Sequence, residues 1–264
     1  MTTLLIAGVD STLALPVIEF GREQDWRIIG TSRHPSPEFE KPELDSIYFC
    51  DFNSQPSIKT CVDEIIEAEN DSKFVCIFSI GTLTPIGKFG EIAFTDWLNG
   101  FWINGLGPLN FINYWLTERT IESDFFLTYA GNGTNSSPTH YSSYTLAKIM
   151  LIKSMEILAS EYPNKTFVSL GTGWMKSKIH NATLQNSLVP PEVVAETKRR
   201  LKYDDFGDPN LIKEFLRIAL SFDSQTVSGR NYSLVNDPWQ EKDFWNKVRA
   251  SKDSNKLRRR DFSE

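Results

Sequence analysis

Tyr144 and Lys148 are four residues apart in Tyr144-Thr145-Leu146-Ala147-Lys148, which opens a strong helical pattern. That spacing puts both side chains on one helix face. An ammonium beside a phenol lowers the phenol pKa toward working pH, as a general acid/base requires. The same spacing also fits a helix face with one buried ring and one snorkelling lysine.

A second set of residues suits a phosphate-bearing ligand. The first apolar run passes into Gly8-Val9-Asp10-Ser11-Thr12-Leu13-Ala14 and then a helical pattern. A tight glycine turn there exposes backbone N–H groups and the positive helix end to a pyrophosphate, with Gly8, Ser11, Thr12 and Leu13 around it. Thr12 and Ala14 occupy the later glycine positions of a GxxxGxG pattern, so an ordinary turn is an open alternative. The second run ends Thr31-Ser32-Arg33 and lacks the acidic residue that holds ribose hydroxyls. A hydroxyl and a guanidinium suit a 2′-phosphate, which favours NADP. Further along, Asp51-Phe52 follows Cys50, where the carboxylate can accept from an adenine amino group. Ser79-Ile80-Gly81 ends the fourth run, and its glycine permits close backbone approach.

These groups need a scaffold that gathers strand ends. Short apolar runs at Leu4–Ala7, Arg27–Thr31, Ile47–Cys50, Phe74–Ser79, Phe125–Tyr129, Thr166–Leu170 and Asn231–Val235 alternate with helical patterns near 12–22, 56–69, 95–118, 141–161 and 209–222. The alternation predicts a doubly wound, mostly parallel seven-stranded α/β sheet of the Rossmann kind, with helices on both faces. All 264 residues fit one such domain. The stretch near 178–205, with Pro190-Pro191, reads as an inserted substrate loop. A C-terminal tail over 238–264 carries Trp239, Phe244 and Trp245, expected to dock on the domain or on a neighbouring subunit.

Composition narrows the field. A net charge of −6 disfavours a nucleic-acid partner, since phosphate neutralisation needs a basic face. The basic run Lys256-Leu257-Arg258-Arg259-Arg260 reads as a solvated tail. Cys50, Cys61 and Cys76 lack metal or redox spacing and are expected to be buried thiols, and the three scattered histidines indicate no metal site. No apolar run approaches a membrane span, and the N-terminus lacks a signal-peptide pattern, so a cytoplasmic protein is expected, with no membrane partner.

Taken together, the sequence resembles the short, single-domain branch of the short-chain dehydrogenase/reductase family over almost its whole length. Besides Gly8, Arg33, Asp51, Gly81, Tyr144 and Lys148, the resemblance is carried by Asn104 in Ile103-Asn104-Gly105, by Gly171-Thr172-Gly173-Trp174-Met175-Lys176-Ser177, and by Gly229 before the last strand. It implies an NADP(H)-dependent oxidoreductase in which Tyr144 is the acid/base and Lys148 binds the nicotinamide ribose. It further implies that Asn104 holds a relay water, that Ser177 contacts the carboxamide, and that Gly173 lies beside the cofactor. The family's serine falls at Gly131 in Thr128-Tyr129-Ala130-Gly131-Asn132-Gly133-Thr134-Asn135, so Thr134 is the expected substitute, with the amide of Asn132 as the alternative, each able to supply an oxyanion-type hydrogen bond. Ser228–Trp239 and the basic tail resemble a subgroup from bacterial surface-polysaccharide gene clusters, implying a sugar or nucleotide-activated sugar as substrate. Asn132, Asn135, Lys178, His180 and Asn181 would suit such a ligand. Apolar side chains on more than one face of 95–118 and 141–161, including Trp97, Phe101, Trp102, Phe111, Trp115, Met150 and Met155, predict a homodimer or homotetramer. The alternative is a non-catalytic NADP-binding sensor or scaffold that has lost the serine.

Overall fold

A computed structural model describes residues 1–34, 43–69, 72–119 and 123–259. Seven strands form one sheet: β1 (Thr2–Ala7), β2 (Arg27–Ser32), β3 (Ser46–Phe49), β4 (Lys73–Phe78), β5 (Phe125–Ala130), β6 (Thr166–Gly171) and β7 (Arg230–Ser233). Their order is β3-β2-β1-β4-β5-β6-β7, and every neighbouring pair is parallel. The α/β fold expected from the sequence is the fold observed. The chain reverses direction across the sheet between β1 and β4, which opens a crevice at their C-terminal ends.

Ten helices clothe the sheet among the described residues: α1 (Ala14–Glu23), α2 (Gln55–Ala68), α3 (Phe94–Phe101), α4 (Gly107–Glu118), α5 (Ser142–Glu161), α6 (His180–Gln185), α7 (Pro191–Tyr203), α8 (Asn210–Ala219), α9 (Ser224–Val227) and α10 (Lys242–Ala250). Two cores result, one per sheet face. Leu4, Ile6, Val75, Ile77 and Leu127 face α1, α8 and α10, while Leu5, Ile29, Cys76, Phe78 and Phe126 face α2, α4 and α5. Burial on both faces is why these strands read as unbroken apolar runs. All three cysteines are buried and free. No helix among the described residues is long and apolar enough to cross a membrane.

Three expectations need correction. The helical pattern over 95–118 is two helices joined by a π-helical turn at Trp102–Leu106. Pro108 has no N–H to continue an α ladder, and Gly105 and Gly107 admit Ala147 and the Phe52 carbonyl where side chains would clash. The stretch near 178–205 is not a loop, because α6 and α7 occupy most of it. Pro190-Pro191 read as a break, but Pro191 stands in the first turn of α7, where a missing N–H costs nothing. Finally, β7 stops at Ser233, whose N–H donates to the Asp237 carboxylate instead of a sheet neighbour.

The C-terminal tail docks on its own domain. Trp239, Phe244 and Trp245 are buried against Phe215 and Tyr232. Arg230 locks them in place: its guanidinium donates to the carbonyls of Thr226, Val248, Ser251 and Ser254. A cation capping the last carbonyls of α10 is favoured by the helix dipole. Arg258 pairs with Glu156 and Asp253, so the basic run is partly engaged, and Arg260 lies outside the described residues.

Candidate active site

The first turn of α5 is bolted to α3. Ser143 Oγ donates to the Trp97 carbonyl (2.7 Å), and Trp97 Nε1 donates to Ser142 Oγ (3.0 Å). This fixes the helix that carries Tyr144 and Lys148 over the ends of β4 and β5. Lys148 Nζ donates to the Ile80 carbonyl at 3.3 Å and lies 5.9 Å from the centre of the Tyr144 ring. Burial pushes the Lys148 ammonium down to about 8 and the Tyr144 phenol up to about 12. The phenol therefore shifts opposite to the sequence expectation. Its desolvation outweighs the ammonium, which points to Ile80.

Gly131 is where the structure departs most from the expected pattern. A β-carbon there would stand 2.8 Å from Tyr144 Cε1, 2.8 Å from Lys148 Cγ and 3.0 Å from Lys148 Cβ. The glycine backbone is packed against both catalytic candidates, and no serine fits without displacing them. Thr134 follows Gly133, whose own Cα packs on Thr145, and is half-buried in the 131–141 loop. Asn132 Oδ1 accepts from the Gly133 N–H and from Ser136 Oγ, which leaves Nδ2 as its donor.

Asn104 lies inside the π-turn and is fully buried. Its Nδ2 donates to the carbonyls of Thr82 and Gly100, both at 2.8 Å, and its Oδ1 accepts from the Thr82 N–H at 2.9 Å. Both amide hydrogens are thus committed. The side chain clamps the β4–α3 loop, so a relay water at Asn104 would not be held by these amide hydrogens.

Across the crevice, Gly8 adopts φ +85°, a conformation glycine reaches without strain. Its N–H and that of Val9 donate to the Thr31 carbonyl, tying the turn to the end of β2. Ser11 shapes the turn by accepting from the Leu13 N–H, while Thr12 is exposed. No side chain caps α1 and no acidic residue stands in its first turn, so its positive dipole is open to an anion, although the Ala14 and Leu13 N–H groups donate to Ser11 and Pro16 has none. Gly173, at φ +72°, approaches Val235 closely. The Ser177 carbonyl accepts from the His180 N–H at the start of α6, and Ile179 lies over Gly81. These features fit a dinucleotide lying from Gly8 to Lys148: a cradle without side chains at one end and a buried amine at the other.

One site residue differs from expectation. Phe52 is a core residue, stacked on Phe111 at 5.8 Å with its carbonyl accepting from Trp102 Nε1. Asp51 accepts from the Asn53 N–H, leaving one carboxylate oxygen for a ligand. The sequence reading also missed Asp10. Its carboxylate accepts from Ser32 Oγ at 2.8 Å, which sets a negative charge beside the hydroxyl assigned to a 2′-phosphate. Arg33 next to it is exposed.

On the substrate side, Tyr141 OH and Thr183 Oγ1 hydrogen-bond (3.1 Å), and the Gly87 N–H donates to the His140 carbonyl. His180 is held in an aromatic column. Its ring stacks on Trp174 (5.0 Å) and packs near Phe206, its Nε2 bonds the Met175 carbonyl, and Arg200 covers Trp174. That column pins α6 and α7 to the segment after β6.

Comparisons with known proteins give the fold. No protein-family model matches the chain, and no curated protein does. Among solved structures, the chain is similar to a short-chain dehydrogenase/reductase from Saccharomyces cerevisiae, with a TM-score of 0.79 at 17% identity, covering 92% of this chain and 99% of that one. It is also similar to a variant of actinorhodin polyketide ketoreductase solved with NADPH, with a TM-score of 0.72 at 17% identity, covering 88% and 95%. The aldohexose dehydrogenase of Thermoplasma acidophilum matches with a TM-score of 0.69 at 15% identity, covering 88% and 91%. At these identities the likeness is one of fold.

Proposed function

We propose that the chain is a short-chain dehydrogenase/reductase using NADP(H), working in the cytoplasm on a carbonyl or alcohol. The observation that carries this is the pairing of half-buried Tyr144 with buried Lys148 at the ends of β4 and β5, facing the Gly8 turn across the crevice. Two of the solved structures it resembles are named a ketoreductase with NADPH and an aldohexose dehydrogenase.

A nicotinamide bound in this crevice would supply or accept the hydride. Gly8, Ser11 and the α1 N-terminus would hold the pyrophosphate, Arg33 the 2′-phosphate, and Lys148 the nicotinamide ribose. Tyr144 delivers the proton: its O–H bond breaks as a new O–H bond forms on the reduced carbonyl oxygen. With burial pushing its phenol up to about 12, Tyr144 carries its proton at neutral pH and has one to donate. Gly131 leaves the polarising hydrogen bond to Thr134 or Asn132.

A sugar or nucleotide-activated sugar is the substrate class that the exposed Asn132 and Asn135 favour, and surface-polysaccharide synthesis is the context the C-terminal resemblance supplies. A homodimer or homotetramer is favoured by exposed Phe94 and Leu98 on α3 and Leu146 on α5. Phe111, Trp115 and Met155, which the sequence offered to a partner, lie instead in the chain's own core. The non-catalytic alternative draws its support from Gly131, which packs where the polarising serine would stand.

The test is NADPH oxidation followed at 340 nm across sugar nucleotides, aldoses and simple ketones. Turnover of any of them supports the enzyme. Tight NADPH binding with no turnover across the panel supports the sensor.

A further inference from the structure

Two hydroxyls at the centre of the crevice have no hydrogen-bond partner. Ser79 Oγ and Tyr129 OH are both shut off from solvent, on residues 9% and 6% exposed. They share a sheet face: Ser79 continues the Val75–Ile77 side of β4, and Tyr129 continues the Phe125–Leu127 side of β5, both toward α1. The register, with Phe78 opposite Thr128, sets them side by side. The serine is close enough to ease ionisation of the phenol against its burial, yet the two do not meet in hydrogen-bond geometry.

Their position is specific. The Ser79 N–H donates to the Ala7 carbonyl, just before the glycine turn, and a β-carbon on Gly8 would stand 3.5 Å from the Ser79 carbonyl carbon. The next residue, Ile80, accepts from Lys148 Nζ. A dinucleotide running from the Gly8 turn to Lys148 and Tyr144 must cross the ends of β1, β4 and β5, where these hydroxyls lie. Phenylalanine would satisfy the packing that Tyr129 makes, and an unpaired buried hydroxyl destabilises a native core. Such a group is retained without loss when a ligand completes it.

We propose that Tyr129 and Ser79 are cofactor-positioning residues, whose hydroxyls donate to an oxygen acceptor on the nicotinamide half of the bound dinucleotide, the phosphate nearest the nicotinamide. This rests on the dinucleotide-binding function proposed above. A hydroxyl donating to an anionic oxygen in a dry site forms a charge-assisted bond, and its loss weakens binding roughly 10–100-fold.

The experiment compares binding of NADPH and of 2′,5′-ADP, which lacks the nicotinamide half, by calorimetry on wild type, Tyr129→Phe and Ser79→Ala, together with thermal melts of each ligand-free protein. Tyr129→Phe should weaken NADPH roughly 10–100-fold and leave 2′,5′-ADP within about twofold. Its ligand-free melting point should be unchanged or about 2–4 °C higher, because an unpaired polar group has been removed from the core. Ser79→Ala should show the same ligand selectivity. Equal NADPH affinity in wild type and Tyr129→Phe overturns the proposal. So does a lowered melting point with both ligands weakened alike, which assigns the hydroxyls to a buried water in a structural role. A wild-type protein that binds neither ligand overturns the dinucleotide function itself.

Discussion

Replacing Lys148 by methionine should stabilise the chain at neutral pH, and the gain should vanish as the solution is made alkaline. Burial depresses the amine from its ordinary 10.5 to about 8, and the side chain is 4% exposed. Below pH 8 the lysine is protonated in both the folded and the unfolded chain, and the buried charge costs the native state about 3 kcal/mol. Between about pH 8 and 10.5 the unfolded chain binds more protons than the native one, so wild-type stability rises with pH through that window. Methionine nearly fills the same space and carries no charge. It forfeits the bond from Nζ to the Ile80 carbonyl, at about 1 kcal/mol. The variant should therefore be more stable by about 2 kcal/mol at pH 7 and equal to wild type close to pH 10. Tyr144 is common to both proteins, so its own titration at higher pH cancels in the difference. Urea unfolding followed by tryptophan fluorescence from pH 6 to 10.5 measures the curve. A variant less stable than wild type at pH 7, or a difference that does not change with pH, refutes the argument that Lys148 is a strained, functional amine.

Other consequences are as direct. Gly131→Ser should not rescue anything: the new side chain must displace Tyr144 or Lys148, so stability should fall by about 1–3 kcal/mol and NADPH turnover should drop, as melts and steady-state assays would show. Arg33→Ala should remove most of a 2′-phosphate preference of roughly 1.5–3 kcal/mol, read as the ratio of NADPH to NADH dissociation constants. Asp10→Asn should move that ratio the other way, toward NADPH, because it removes the negative charge bonded to Ser32; an unchanged ratio would take Asp10 out of the site. Light scattering at micromolar concentration should give a dimer or tetramer, and Leu98→Glu with Leu146→Glu should shift it toward monomer.

The sheet was legible in the sequence because parallel strands covered on both faces must be apolar throughout, and Leu4, Val75 and Phe126 could be nothing else. Helix α5 was legible from its period. Helices α6 and α7 were not, since Pro190-Pro191 interrupts the pattern and α7 is charged on most sides, held by Arg199 and Arg200 to Glu196 and by Trp174 beneath Arg200. Within the site, the residue types at Gly8, Tyr144 and Lys148 announced themselves by spacing, and so did the absence of a serine at position 131. Which groups touch could not be read. The Asp10–Ser32 bond spans 22 residues, and the Asn104 clamp on Thr82 also spans 22, so both depend on how β1, β2 and β4 are laid beside one another. Phe52 misled because a strand end near a ligand crevice can turn its ring inward as easily as outward, and Phe111 gives it a partner.

The central claim is that Tyr144 moves the proton in an NADPH-dependent reduction. Tyr144→Phe removes the phenolic proton and keeps the ring against Gly131, so the most direct measurement is NADPH affinity and turnover of this variant beside wild type, on whichever substrate the panel yields. The account predicts an unchanged dissociation constant for NADPH and turnover lower by roughly 10²–10⁴-fold. A variant that turns over as fast as wild type, or a wild-type protein that binds NADPH and reduces nothing in the panel, would contradict it.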